Sequence, residues 1–422
     1  MWSVPKAISL FTHRGHPLII DMVSEHASPL AVLGGADGGG QNVHVAALAV
    51  ALGRRGHQIT VFTRRSDESL PDKVRIAPGV TVEHVSAGPP RSVPKDELLP
   101  YMPEFGRHLG RRWHSRRPDV IHAHFWMSGL AALAAAPEFE LPVAQTFHAL
   151  GVVKRRYQSS SDSSPPERRR LESQIAREAG LIIATCSDEV HELCALGVQP
   201  ESVTVIPCGV DLERFRASGP VAPRGHRPRV LSLGRLVPRK GVDTVIEAMA
   251  HVPGAELLIA GGPAMPELGP DPEVRRLREL ARVRGVTDRV VFLGQVRHDD
   301  AAALMRSADV IVSVPWYEPF GMVPVEAMAC GIPVIGSAVG GHLDTISDGF
   351  TGLLVRPRDP AALAGRLRDL LGDRRWRASL GRAGAARAQT RYSWERIAAL
   401  TETAYERLNT ARLRSAAEGA RS

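Results

Sequence analysis

The stretch VLSLGRLVPRKGVD, Val230 to Asp243, decides the fold. Val230–Leu233 reads as a short apolar strand, and Gly234 opens a loop that carries Arg235, Pro238 and Lys240. From Val242 to His251 the apolar spacing is helical. A strand, a short glycine-led loop and a helix form one crossover unit of a parallel sheet. Such a unit puts its loop at the carboxyl end of the strand, where open α/β sheets bind ligands.

The same grammar continues downstream. Strands are expected at Glu256–Ala260, Val290–Leu293, Val310–Val314 and Pro333–Gly336, with helices at Asp300–Ala308, Val325–Cys330 and near Pro360–Leu371. It also runs upstream, with strands at Pro17–Ser24, Gln58–Thr63, Val120–His124 and Leu181–Thr185 and a helix at Val43–Gly56. Between Phe215 and Arg229 the text becomes FRASGPVAPRGHRPR, the Pro-, Gly- and Arg-rich composition of a linker. The expected α/β architecture is therefore two Rossmann-like parallel-sheet domains in series. The first covers residues 1–216, the second 229–394.

The chain's 422 residues fit two such cores. A hydrophobic content of 44% and charged content of 23% exclude a disordered tail. No apolar run reaches the roughly 18–20 residues of a membrane span, and no signal-peptide pattern is present, so a cytoplasmic enzyme without an integral membrane segment is expected. Cys186, Cys194, Cys208 and Cys330 lie far apart, which suits reduced thiols. A net charge of +8 can serve acidic small molecules, but no nucleic-acid module accompanies it.

Four constellations carry chemistry. In GGADGGGQN, Gly34 to Asn42, glycines let backbone amides approach a phosphate or sugar at a helix N-terminus. The pattern is not G-x-G-x-x-G, although Arg64-Arg65 after the second strand would suit an NADP 2′-phosphate, so an NADP oxidoreductase is an alternative reading. Arg235 and Lys240 can converge on one diphosphate, and lysine is rare here: only Lys6, Lys73, Lys95, Lys154 and Lys240 occur.

The third constellation is WYEPFGMVPVEA, Trp316 to Ala327. Glu318 and Glu326 flank a Phe320-Gly321-Met322-Val323 turn, with Pro324 expected at the first helical position and Glu326 in the first turn. Carboxylates accept hydrogen bonds from sugar and ribose hydroxyls, and free backbone amides donate to them. The fourth comprises Lys95, His122, His124, His148, Lys154, Arg168 and Arg169. His148 is expected at a strand end facing the cleft, and the cations could surround an anionic ligand. His122 and His124 share a strand face, a possible metal pair without a third ligand at suitable spacing.

E-P-F-G-x-x-x-x-E-A-M-A-x-G from Glu318, G-R-L-V-P-R-K-G and I-P-C-G-V-D (Ile206–Asp211) together resemble glycosyltransferase family 4. GGADGGGQNVHV, DVIHAHFWMSG and QTFHALGVVK resemble its branch of inositol-phosphate glycosyltransferases and sucrose-phosphate synthases. The resemblance implies a GT-B architecture and retaining, metal-independent hexosyl transfer without a cofactor. A UDP-linked glucose or N-acetylglucosamine is the implied donor, and a small phosphorylated sugar or cyclitol the implied acceptor. By the same resemblance Arg235 and Lys240 grip the diphosphate, Glu326 holds the ribose, and Glu318 with Phe320–Val323 reads the sugar. His148 touches the sugar near the reacting carbon. Gly39 borders the donor, while Gly40, Gln41, Asn42, Lys95, Lys154 and Arg168 or Arg169 border the acceptor. The last helix, about 395–422, would return to the first domain. Where inositol-phosphate enzymes place a tyrosine and a threonine on the acceptor phosphate, this chain has Phe125 and Ala149. A nucleotide-sugar epimerase of the same architecture is a further alternative.

Overall fold

A computed structural model describes residues 16–31, 39–158 and 162–419 of the chain. Glycines 34, 35 and 38 of the first constellation fall outside the described residues, as do residues 1–15.

Two sheets are present. The first joins β1 (Ile19–Val23), β2 (Gln58–Arg64), β3 (Lys73–Ala77), β4 (Val80–Val85), β5 (Val120–His124), β6 (Val143–Thr146), β7 (Leu181–Ala184) and β8 (Val203–Val205) in the order β3-β4-β2-β1-β5-β6-β7-β8. All pairs are parallel except the β3–β4 hairpin, which the sequence reading did not contain. The second sheet joins β9 (Arg229–Leu233), β10 (Glu256–Ala260), β11 (Val290–Gly294), β12 (Val310–Ser313), β13 (Val334–Ser337) and β14 (Leu353–Val355) as β11-β10-β9-β12-β13-β14, all parallel. Strands buried on both faces explain their continuous apolar runs, such as Leu257–Ala260 and Val310–Val312.

Each sheet reverses direction once, between β1 and β5 and between β9 and β12. The crevice outside the strand carboxyl ends at such a switch point is where these sheets bind ligands. The loops after β1, β5 and β6 face the loops after β9 and β12 across it. Gly40 and Met322 meet there, and a Cβ on Gly40 would lie 3.1 Å from the Met322 sulfur.

Further contacts cross between the lobes: Tyr157 stacks on Tyr317 with ring centroids 5.5 Å apart, the Ser187 amide and hydroxyl both donate to Asp344 at 2.6 Å, and Thr185 Oγ1 donates to the Pro319 carbonyl. The chain passes from the first lobe to the second through 206–228, which holds neither helix nor strand. It returns beside the same point, where the Val210 amide donates to the Tyr392 carbonyl. The Trp394–Gly419 helix then packs on the first lobe's Gly40–Arg54 helix, with Glu402 on Arg55 and Tyr405 on His122.

One local expectation is corrected. The helix after β12 runs Met322–Ala329 and starts two residues before Pro324, which occupies its third position; Glu326 is at the fifth, beyond the first turn. Gly321 at φ 93° begins the helix early, in a left-handed conformation that other residues adopt only with strain.

Candidate active site

A cavity of about 520 Å³ lies between the two lobes. The first lobe contributes His26, Gly39–Asn42, Lys95, Phe125, His148 and Ala149; the second contributes Arg235, Arg239, Lys240 and Glu318–Pro324.

On the second lobe, Lys240 and Glu318 form a close ion pair from the loops after β9 and β12. Burial alone would raise the Glu318 carboxyl, but Lys240 and its neighbours His342 and Arg239 hold it down at about 2. Arg235 has no hydrogen bond or ion pair among the described residues, and burial beside Arg239 lowers its pKa. Arg235 is solvent-accessible at the cavity wall, and its guanidinium is free to take an anion that enters the cleft. The first amides of the Met322–Ala329 helix have no intrahelical acceptor and stand at the same wall.

The Glu318 loop rests on Gly340 and Gly341, which sequence reasoning missed. The Gly341 amide donates to the Glu318 carbonyl at 2.9 Å, and a Cβ on Gly341 would lie 2.4 Å from Phe320 backbone. A paired glycine after a strand was the available signal. Glu326 lies outside the cavity lining. Burial lifts its carboxyl to about 7, and Arg214 offsets this only in part.

On the first lobe, Gln41 donates to Ser24 and to the His124 carbonyl, while Asn42 caps its own helix by accepting from Gly39. His148 follows β6 with φ 60°, and Phe125 follows β5 with φ 80°. Two non-glycine residues in left-handed backbone at adjacent strand ends mark strain held at a functional edge. His148 accepts or shares a proton with His124 at 3.0 Å, and burial keeps its imidazole neutral at pH 7.

The expected cations divide. Lys95 lines the cavity without a hydrogen bond or ion pair among the described residues, and burial next to Lys154 lowers its pKa. Lys154 is held by Asp162 at 3.0 Å and Asp96 at 3.6 Å. Arg168 is buried, bonded to Glu172, Ser164 and the Ala149 carbonyl, so it shapes the wall rather than lining it. Arg169 is exposed on a separate surface depression.

His122 is not half of a metal pair: both its ring nitrogens are engaged, by Tyr405 and Thr146. Arg64 and Arg65 spend their guanidinium groups on carbonyls of nearby loops and on Asp72, which leaves the NADP reading without its anchor.

His26 was also missed. It lines the cavity immediately after β1, and Glu25 holds its Nδ1 at 2.6 Å while Glu25 itself accepts from Ser128. A titratable residue directly after a strand at the switch point was the signal.

Residues 38–214 match the family described as Glycosyltransferase Family 4, and residues 214–387 match Glycosyl transferases group 1. The D-inositol 3-phosphate glycosyltransferase of Jonesia denitrificans is 34% identical over 95% of this chain and 98% of its own length. The protein of the same name from Mycobacterium tuberculosis is 36% identical over 93% of this chain and 83% of its own. Sucrose-phosphate synthase from Thermosynechococcus elongatus superposes with a TM-score of 0.85 and 34% identity, covering 93% of this chain and all of that one. With one lobe carrying Arg235, Lys240 and Glu318 set across a cleft from another carrying His26, Lys95 and His148, the chain belongs to glycosyltransferase family 4 and is a nucleotide-sugar-dependent glycosyltransferase of GT-B fold.

Proposed function

We propose that this enzyme moves a hexosyl group, glucose or N-acetylglucosamine, from a UDP-sugar to a small phosphorylated sugar or cyclitol, with retention and without an essential metal. The observation that carries the reading is the pair of cavity-lining cations, Arg235 on one lobe and Lys95 on the other, whose charged ends have no hydrogen bond or ion pair among the described residues. One suits the donor's diphosphate, the other an anionic acceptor.

Breaking the anomeric C–O bond leaves positive charge on the sugar and negative charge on the departing diphosphate. Arg235, Lys240 and the amides at Met322 and Val323 stabilise that negative charge. When the diphosphate arrives, Lys240 shares itself between it and Glu318, which then accepts from the sugar's hydroxyls. His148, neutral, hydrogen-bonds a sugar hydroxyl near the reacting carbon. The acceptor hydroxyl attacks from the leaving-group side, and a diphosphate oxygen takes its proton. Contacts between the lobes exclude water and favour transfer over hydrolysis. Glu326 holds the ribose after donor binding.

A neutral polyol acceptor is the second reading. It is favoured by Phe125 and Ala149, which line the cavity without a hydroxyl, and by the engagement of Lys154 and Arg168 within the protein.

The test is nucleotide release by purified enzyme in EDTA. UDP-glucose, UDP-N-acetylglucosamine, ADP-glucose and GDP-mannose are each offered with and without sugar phosphates, inositol phosphates and free sugars. UDP release that depends on a phosphorylated acceptor is the expected result. An epimerised sugar among the products formed from donor alone would favour the epimerase, and release only with neutral acceptors would favour the second reading.

A further inference from the structure

His44, His124 and His148 come from the Gly40–Arg54 helix, the end of β5 and the residue two beyond the end of β6, and the fold gathers them at the floor of the cleft. One ring nitrogen of each lies within 4.8 Å of the others. The ring centroids are 5.7 Å apart for His44–His124, 5.1 Å for His44–His148 and 5.3 Å for His124–His148. His44 and His124 are almost wholly buried, and His44 Nδ1 and His124 Nε2 have no hydrogen-bond partner among the described residues. His148 is partly exposed and opens onto the cavity, so the cluster has an entry path.

From this geometry we propose that His44, His124 and His148 form a site for a transition-metal ion of the zinc class, and that its occupation inhibits transfer by withdrawing His148 from the donor sugar. Three imidazoles without a carboxylate select Zn²⁺, Co²⁺, Ni²⁺ or Cu²⁺ over Mg²⁺ and Ca²⁺, which prefer oxygen ligands. Tetrahedral zinc at about 2.0–2.1 Å from each nitrogen needs the ligands about 3.4 Å apart, so the present cluster, within 4.8 Å, closes on the ion as it binds and gives up the His124–His148 hydrogen bond. Two of the ligands are held by a helix and a strand end and the third by strained backbone, so the site is largely built before any ion arrives. His122 stays outside the set because Tyr405 and Thr146 take both its nitrogens.

The inhibitory half rests on the reading of His148 as a sugar contact; the binding half does not. The probe is Co²⁺ added to untagged, chelator-stripped protein, read by visible absorption. A saturable band of tetrahedral intensity at one equivalent, bleached by Zn²⁺ and unaffected by Mg²⁺, is expected. His44→Phe should abolish the band. Sub-stoichiometric Zn²⁺ should lower turnover of the wild type and leave turnover of His44→Phe unchanged. If circular dichroism shows that His44→Phe is unfolded, His44→Leu takes its place, and His44→Tyr is a third choice of similar volume. No band in the wild type, or an equal band in a folded His44 variant, overturns the site. A lost band with inhibition by Zn²⁺ still intact overturns the inhibitory half. A protein inactive with every donor fails the proposed function while the cobalt band still reports on the metal site.

Discussion

Lys240 Nζ and Glu318 Oε2 close an ion pair that links the loop after β9 to the loop after β12, across the point where the second sheet changes direction. Both side chains are largely buried, at 24% and 15% exposed. Breaking one partner of such a pair strands the other charge, a cost of about 3–5 kcal/mol, whereas removing both together is often close to neutral. Lys240→Met is therefore expected to lower the melting temperature sharply and the double variant Lys240→Met/Glu318→Gln to recover most of it. Turnover should not recover. Each single variant, Lys240→Met or Glu318→Gln, is expected to lose about 10²–10³ in kcat, because in the proposed reaction Lys240 serves the diphosphate and Glu318 the sugar. Thermal melts alongside steady-state kinetics check this, and recovery of activity in the double variant would show the pair to be structural only.

Glu326 sets a pH dependence. Its carboxyl is raised from 4.5 to about 7 by burial, so the folded protein holds this proton where the unfolded chain has lost it. Stability contributed by the protonated form is present below about 4.5 and is lost as pH rises to about 7. Asp21, raised to about 7 by burial while accepting from Trp113, acts in the same direction. In the proposed reaction donor binding runs opposite, since the ionised Glu326 carboxylate accepts from ribose hydroxyls more strongly than the protonated form. Donor KM is expected to rise as pH falls below about 7, and Glu326→Gln to flatten that profile at a uniformly higher KM. A KM–pH series for the two proteins checks it.

Much of this molecule was legible in the sequence, and the parts that were not share a cause. β1, β2, β5, β9, β10 and β12 are apolar runs bounded by glycine or polar loops, and they lie within a residue or two of where the pattern puts them. β3 escaped because Lys73–Ala77 alternates charged and apolar residues at a sheet edge, and β4 because Thr81, Glu83 and His84 interrupt its apolar run although the strand is buried. The motif loops were readable because arginine, lysine and glutamate after a strand have little other business there. His44 was not, because it sits inside an apolar helix and only the tertiary fold brings it to His124 and His148. The early helix start at Met322 depends on Gly321 taking a left-handed φ, which a rule that prefers proline at the first position overlooks.

Gly341 should be intolerant of a side chain. A Cβ would meet Phe320 backbone at 2.4 Å, and backbone cannot swing away as a flexible side chain can. Gly341→Ala is expected to displace the Glu318–Phe320 turn, raising donor KM by at least about tenfold, equivalent to about 1.4 kcal/mol. Acceptor KM should change little. Calorimetric titration with nucleotide diphosphate, which probes the loop without the reaction, checks the effect directly.

The acceptor side is open to the sharpest substitution test. Among the described residues the Lys95 ammonium has no partner and faces the cavity, while Lys154 answers to Asp162 and Asp96 and Arg168 to Glu172. Lys95→Ala is therefore expected to raise KM for a phosphorylated acceptor about 10- to 100-fold, in keeping with about 1.5–3 kcal/mol for a charge-assisted hydrogen bond. Arg169→Ala, on the other surface, should leave it unchanged. Phe125→Tyr with Ala149→Thr would restore two hydroxyls to the cavity wall and is expected to lower KM for phosphorylated cyclitols. If Lys95→Ala instead spares every phosphorylated acceptor and the added hydroxyls change nothing, the cleft serves a neutral polyol. Lys95 then acts only through the field it adds beside Arg235.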